Sequence, residues 1–120
     1  MLLSWLAALA LTLAVEVPLY ASVLRLAWGI RLRDAAGLGA AVNALTHPVL
    51  WWSLAPWTGR PWYPWLVAGA EVVVCAVEWL ALAVLVRRDR LALAALSLGA
   101  NAASVLAGII AAYVTGAPGR

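Results

Sequence analysis

The 120-residue chain has few charged residues, which make up 11% of its composition, and none of them is lysine. Soluble domains average about a quarter charged residues and under half apolar ones. Here 67% of the residues are hydrophobic, and the mean hydropathy is +0.98. The few remaining polar residues cannot cover a surface that faces water. The composition therefore predicts an integral membrane protein rather than a soluble domain.

Cysteine is also scarce. The chain has one, Cys75, which excludes a disulfide within the chain. The net charge of +3 comes from arginine alone, and the arginines cluster where apolar segments end. This placement indicates membrane topology rather than nucleic-acid binding. We therefore expect the lipid bilayer as the partner and no nucleic acid.

Four long apolar segments follow one another along the chain, and about 20 residues are enough for a helix to cross the ~30 Å hydrocarbon layer. Helices are favoured because they satisfy their own backbone hydrogen bonds in lipid. The first segment lacks a basic leader and is longer than a signal-peptide core, so we interpret it as a retained helix. The sequence predicts an all-α polytopic membrane protein, an antiparallel bundle of four transmembrane helices forming one domain over residues 1–120. The predicted helices cover about 2–28, 35–54, 65–86 and 91–114.

The connections between these segments predict how the bundle is oriented. Residues 31–34 and 87–90 are rich in arginine, whereas residues 55–64 are rich in proline and tryptophan. The positive-inside rule places the two arginine-rich loops in the cytoplasm. Both termini and the 55–64 loop then lie outside, where tryptophan rings anchor at headgroup depth. We expect a multi-pass protein of the cell inner (cytoplasmic) membrane.

Each predicted helix carries one polar stripe, and the four stripes reach a similar depth. The acidic residues are Glu16 in the first helix and Glu71 and Glu78 in the third, and the single histidine, His47, is in the second. An ionised side chain at the bilayer centre costs roughly 2.5–3.5 kcal/mol or more, so these side chains are predicted to face the bundle interior. The supporting polar residues are Thr12, Tyr20, Asn43, Thr46, Ser97, Asn101 and Ser104.

No arginine lies at the depth of the three glutamates, and only His47 could supply a positive charge there. The glutamates must then be protonated, hydrogen-bonded to amides and hydroxyls, hydrated, or bound to a cation. Carboxylates and imidazole are suitable ligands for divalent metals, and chains of Glu and His also relay protons. The metal-ligand set that the sequence suggests is Glu16, His47, Glu71 and Glu78, and the cofactor that it suits is a divalent metal ion.

Three classes of function are consistent with this pattern. The first is a transporter or conduit for a cation, either a metal ion or a proton. The second is a non-catalytic membrane subunit or an assembly factor of a larger complex. The third is an intramembrane metal-dependent hydrolase, which ranks last because no HExxH motif, nucleophile elbow or phosphate loop is present. Because one four-helix bundle has a narrow interior, we expect a homo-oligomer or association with other membrane subunits.

Overall fold

The structure, a computed structural model, describes residues 2–116, and it describes side chains from residue 5 onward. These residues form four long α-helices, one 3₁₀ turn and no strand, which confirms the predicted all-α class. Residue 1 and residues 117–120, the chain ends that were predicted to lie outside the cell, fall outside the described residues. The helices are α1 (Leu2–Trp28), α2 (Leu32–Leu54), α3 (Tyr63–Val86) and α4 (Arg90–Thr115), and the 3₁₀ turn is Ala55–Trp57.

The helices begin one to three residues earlier than predicted, except for α1. In α2 the first turn contains Asp34, whose carboxylate interacts favourably with the N-terminal end of the helix dipole. In α3 the first turn contains Pro64, which is tolerated there because the first turn needs no backbone N–H from that residue. Asp89 caps α4: its Oδ1 accepts hydrogen bonds from the backbone N–H of Leu91 at 3.0 Å and of Ala92 at 3.3 Å.

The helices form a closed ring in chain order, in which α1 packs on α2, α2 on α3, α3 on α4 and α4 on α1. Short connections at residues 29–31, 58–62 and 87–89 make neighbouring helices antiparallel. Gly29 and Arg87 leave their helices in the left-handed conformation, with φ of 68° and 54°. The end with connections 29–31 and 87–89 is called the arginine end below, and the opposite end is called the tryptophan end.

The dimensions and the surface are compatible with a membrane protein. The bundle measures 43 × 24 × 20 Å, and a bilayer with its headgroups is about 40–45 Å thick. Many large apolar side chains lie exposed on the outside of the bundle. Three helices of the described chain are long and apolar enough to cross a membrane: Trp5–Trp28, Tyr63–Val86 and Arg90–Thr115.

The predicted fourth span, α2, is the least apolar of the four long helices. Its 23 residues are sufficient in length, but the helix carries Asn43, Thr46 and His47. All three side chains are buried within the bundle. The hydropathy of α2 is therefore lowered partly by groups that face the other helices and partly by the exposed Arg33 and Asp34 in its first turn.

An apolar cluster fills the bundle interior on the side of the arginine end. Leu24, Leu82 and Leu93, called the apolar layer below, have no solvent exposure. They come from α1, α3 and α4, and each lies within the half of its helix nearer the arginine end. Their neighbours in the cluster are Tyr20, Ala21, Ala35, Leu96 and Ala100. This cluster closes one end of the bundle and leaves the middle of the interior to the polar side chains.

Candidate functional site

Glu78 is the central side chain of the polar interior, and it has no solvent exposure. The Tyr20 hydroxyl and the Asn101 amide each donate a hydrogen bond to its Oε2 at 2.7 Å. The Thr46 hydroxyl lies 3.2 Å from its Oε1. These partners belong to α1, α4 and α2, while Glu78 belongs to α3. A single carboxyl group therefore connects all four helices.

A glycine allows Tyr20 to reach this position. A Cβ atom at Gly39 would lie 3.1 Å from Cβ and 3.3 Å from Cδ2 of Tyr20, which is closer than side chains normally pack. The backbone oxygen of Gly39 also accepts a hydrogen bond from the Asn43 amide at 3.0 Å. Gly39 was not among the site residues predicted from the sequence. Its position one turn before Asn43, on the same face of α2, was the available signal.

The polar stripe of α4 is bonded to α3 at a second place. The Asn101 amide donates its other hydrogen to the backbone oxygen of Ser97 at 2.9 Å. The Ser97 hydroxyl donates to the backbone oxygen of Cys75 at 2.9 Å. Cys75 thus contributes through its carbonyl rather than through its thiol. These contacts hold Asn101 in the orientation in which it reaches Glu78.

Glu16, the second carboxyl group of the interior, has a different environment. It is 1% exposed, and its Oε1 lies 2.5 Å from the Ser104 hydroxyl. That hydroxyl is also 3.0 Å from the backbone oxygen of Asn101. The other carboxyl oxygen, Oε2, makes no hydrogen bond within the described part of the chain. An unsatisfied buried polar atom costs about 1–3 kcal/mol, so the Glu16 carboxyl group is less completely satisfied than that of Glu78.

The other predicted site residues lie closer to the tryptophan end. His47 is buried on α2 and Glu71 is half-buried on α3. Both Glu71 and Glu78 are close enough to Glu16 for the charges to interact. Thr12, one turn before Glu16, is half-buried, and its side chain takes part in none of the interhelical hydrogen bonds of the described residues. The polar interior therefore extends from Glu78 toward the tryptophan end, while the apolar layer closes it toward the arginine end.

The predicted metal set does not form a ready-made metal centre. Across residues 5–116, no group of three or more His, Cys, Asp or Glu side chains is arranged to hold a metal ion. The two central carboxyl groups instead bond to hydroxyl and amide groups. Binding of a divalent metal ion stays a prediction from the residue types.

Tryptophan rings meet at the tryptophan end. The rings of Trp5 and Trp52, from α1 and α2, are 4.9 Å apart, and those of Trp57 and Trp62 are 5.6 Å apart. At the arginine end, the Trp79 indole N–H donates to the backbone oxygen of Arg90 at 2.8 Å. This last contact fixes the start of α4 against α3.

Comparison of the chain with protein-family models, curated proteins and solved structures found no match in any of the three. Its function is therefore argued from the geometry of the polar interior.

Proposed function

We propose that this protein moves protons across a membrane, as a proton conduit or a proton-coupled transporter, with Glu16 as the group that gains and loses the proton. The observation that carries the proposal is the contrast between the two buried carboxyl groups. Glu78 has three hydrogen-bonding partners from other helices, whereas Glu16 has the Ser104 hydroxyl, a weaker contact with the Asn43 amide, and a buried Oε2 that makes no hydrogen bond within the described residues. No ion pair with an arginine involves either of them within the described residues.

The hydroxyl partners support a neutral form of both carboxyl groups. A hydroxyl group has one hydrogen to donate, yet Ser104 contacts both Glu16 and the Asn101 carbonyl. The backbone carbonyl of Asn101 can only accept a hydrogen bond. When Ser104 donates its hydrogen to that carbonyl, the short contact between Ser104 and Glu16 requires a hydrogen on the Glu16 carboxyl group. Thr46 is placed in the same way between the Val42 carbonyl and Glu78. Neutral carboxyl groups also avoid the cost of burying a charge in the membrane.

The unequal bonding supports Glu16 as the exchanging group. Loss of the Glu16 proton changes one hydrogen bond, because the Ser104 hydroxyl can turn from the Asn101 carbonyl toward the new carboxylate. The Glu78 carboxyl group is held by contacts to three other helices, so it cannot turn toward another proton donor or acceptor without breaking them. Glu78 therefore acts as the fixed centre, and Glu16 as the exchangeable proton site beside it.

The apolar layer supports coupling to a conformational change. Polar side chains lie between the tryptophan end and Glu16, whereas the fully buried Leu24, Leu82 and Leu93 fill the interior between the site and the arginine end. Hydrophobic constrictions of this kind stop conduction while they are dry. A proton that crosses the whole bundle therefore requires these three side chains to separate. This favours a proton conduit that opens and closes over a permanently open channel.

A non-catalytic membrane subunit is the second candidate. The observation that favours it is the complete hydrogen bonding of Glu78, because a purely structural polar core would satisfy its groups in the same way. This candidate predicts that the bundle holds its partners but carries no ion. The unsatisfied Glu16 oxygen is the feature that it does not account for.

We further propose that the protein lies in the cell inner membrane with the arginine end in the cytoplasm. The support is the arginine content of the two connections at that end, together with the tryptophans at the other.

Proton flux into liposomes tests the proposal. With purified protein, an enclosed pH-sensitive dye and a potassium diffusion potential, the unaltered protein should acidify the vesicles faster than protein-free liposomes do. Glu16→Gln should lower this flux roughly 100-fold, which is the lower end of what a positioned proton-transfer group contributes. The matched control is Asp34→Asn, the same carboxyl-to-amide change at an exposed position, and it should leave the flux unchanged.

Other results would select another function. An unaltered protein that produces no flux above protein-free liposomes would leave the membrane subunit as the better candidate. Stoichiometric metal in the purified protein, lost in both Glu16→Gln and His47→Ala, would replace the proton by a metal ion. Equal flux in Glu16→Gln and the unaltered protein would exclude Glu16 as the proton site.

A further inference from the structure

Three arginines surround the connection between α3 and α4, and none of them is neutralised. Arg87, Arg88 and Arg90 are all exposed. The acidic residue among them, Asp89, uses its carboxylate to cap α4. The arginine–carboxylate contact at this end of the bundle lies elsewhere, between Arg31 and Asp34. The α3–α4 connection therefore presents three arginines that form no ion pair within the described residues and, with the charge of Asp89 counted, a net charge of +2 over residues 87–90.

These arginines line a cavity that also has an apolar wall. The cavity has a volume of about 430 Å³, and its other lining residues are Ala83 and Val84. Both belong to the last turn and a half of α3, and Val84 is 65% exposed on the outside of the bundle. The cavity thus has a cationic part, formed by the three arginines, and an apolar part that acyl chains cover when the bundle is in a membrane.

The backbone around the cavity is held in place from two sides. Arg87 adopts the left-handed conformation that ends α3, with φ of 54°. The hydrogen bond from the Trp79 indole fixes the Arg90 carbonyl 2.8 Å away. Because both flanking arginines are attached to fixed backbone, the three side chains extend from fixed points around one space.

We propose that this cavity binds the headgroup of an anionic phospholipid, with the phosphate among the three arginines and an acyl chain against Ala83 and Val84. Guanidinium groups bind phosphate oxygens in a bidentate way. Basic pockets at the membrane surface select anionic lipids by charge. The apolar wall distinguishes a lipid from free phosphate, since a soluble anion gains nothing from it. The site does not depend on proton movement in the bundle interior.

Lipid binding to the full-length protein tests the assignment. The protein, purified in a neutral detergent, is titrated with phosphatidylglycerol, and bound lipid is counted by native mass spectrometry. We expect one tightly held lipid per chain, with phosphatidylcholine held at least tenfold more weakly. An arginine near an anionic headgroup contributes roughly a fivefold gain in affinity. The triple variant Arg87→Gln/Arg88→Gln/Arg90→Gln should therefore bind phosphatidylglycerol about 100-fold more weakly.

A matched triple variant controls for the general effect of charge. Arg25→Gln/Arg31→Gln/Arg33→Gln also removes three arginines from the arginine end, but not from the cavity. It should retain the bound lipid. Circular dichroism and gel filtration establish that both variants are folded, and should the first triple variant fail to fold, Arg88→Gln alone is expected to weaken binding about fivefold.

Two further measurements separate lipid from free phosphate. Ala83→Trp fills the apolar part of the cavity and should weaken phosphatidylglycerol binding while all three arginines remain. Inorganic phosphate at the same concentration should not displace the lipid. Displacement by inorganic phosphate, equal binding of the two lipids, or equal losses in the two triple variants would each overturn the proposal.

Discussion

The two buried carboxyl groups, Glu16 and Glu78, have different hydrogen-bonding partners, and the difference depends on individual neighbouring atoms. Glu78 meets a phenol, an amide and a hydroxyl, all from other helices. Glu16 contacts the Ser104 hydroxyl and, more weakly, the Asn43 amide. The phenol of Tyr20 arrives because Gly39 has no Cβ, and the amide arrives because Asn101 is held by Ser97. The chemistry of each glutamate thus depends on its neighbours rather than on its own burial, which is nearly complete in both.

At this scale we predict that Tyr20→Phe destabilises the bundle by about 1 kcal/mol, because interhelical hydrogen bonds of membrane proteins contribute about that amount. The ring remains and only the donor to Glu78 is lost. Unfolding of the purified protein by denaturing detergent, followed by circular dichroism, measures the change. Tyr113→Phe removes the same hydroxyl from a side chain that is 89% exposed and should leave stability unchanged. Equal stability of the two variants would show that the Tyr20–Glu78 hydrogen bond contributes nothing.

Within the elements, polar and apolar side chains are segregated along the length of each helix. In α3 the glutamates occupy the first two-thirds, and Leu82 follows Glu78 by one turn toward the arginine end. In α4, which runs the other way, Leu93 precedes Ser97 and Asn101. Because the helices are antiparallel, the leucines meet at one level and the polar groups at the next. The apolar layer is thus a product of antiparallel packing as much as of the individual helices.

We predict that Leu82→Ala makes the bundle leak protons and lowers its stability by roughly 2–3 kcal/mol, because the truncation opens a cavity in the apolar layer. Proton flux into liposomes should rise above that of the unaltered protein. The matched control, Leu80→Ala, makes the same truncation in the same helix at a side chain that is 57% exposed on the outside. Similar leakage in both variants would argue against the apolar layer as the barrier.

For the whole molecule, the arrangement is the reverse of a soluble protein, with carboxyl groups inside and leucine, isoleucine and valine outside. The arginine and tryptophan ends are chemically distinct, which gives the bundle a direction across the membrane. The groove of about 490 Å³ between α1 and α4 is almost wholly apolar, so it belongs to the same outer surface. Association into a homo-oligomer, or with other membrane subunits, stays a prediction that the molecular mass of the particle in detergent would decide.

We predict that the tryptophan end faces outward. In a Cys75→Ala background, single cysteines are introduced by Arg60→Cys at the tryptophan end and by Arg33→Cys and Arg88→Cys at the arginine end. A membrane-impermeant maleimide added to intact cells should label the first, and should label the other two only after the membrane is permeabilised. The opposite pattern would reverse the orientation proposed from the arginine-rich connections.

The sequence by itself determined the class of protein and the set of polar residues. Its composition indicates a membrane protein, and helices are favoured there because lipid offers the backbone no hydrogen bonds. Helical periodicity then placed Glu16 with Thr12 and Tyr20, and Glu78 with Glu71, on shared faces. Periodicity could not assign partners, because it describes one helix at a time.

Only the tertiary structure decided which polar groups meet. Tyr20 lies on the same face as Glu16 yet bonds to Glu78, since the rotation of α1 against α3 and the gap at Gly39 set its direction. Ser104, assigned a supporting role from its spacing in α4, is the partner of Glu16. The two residues are 88 positions apart in the chain. Whether they meet depends on helix rotation and close approach, which a local sequence pattern does not describe. Helix rotation and close approach also explain why Glu16 and Glu78, which the sequence does not distinguish, differ in the structure. Glu78 is fully hydrogen-bonded, whereas Oε2 of Glu16 makes no hydrogen bond within the described residues.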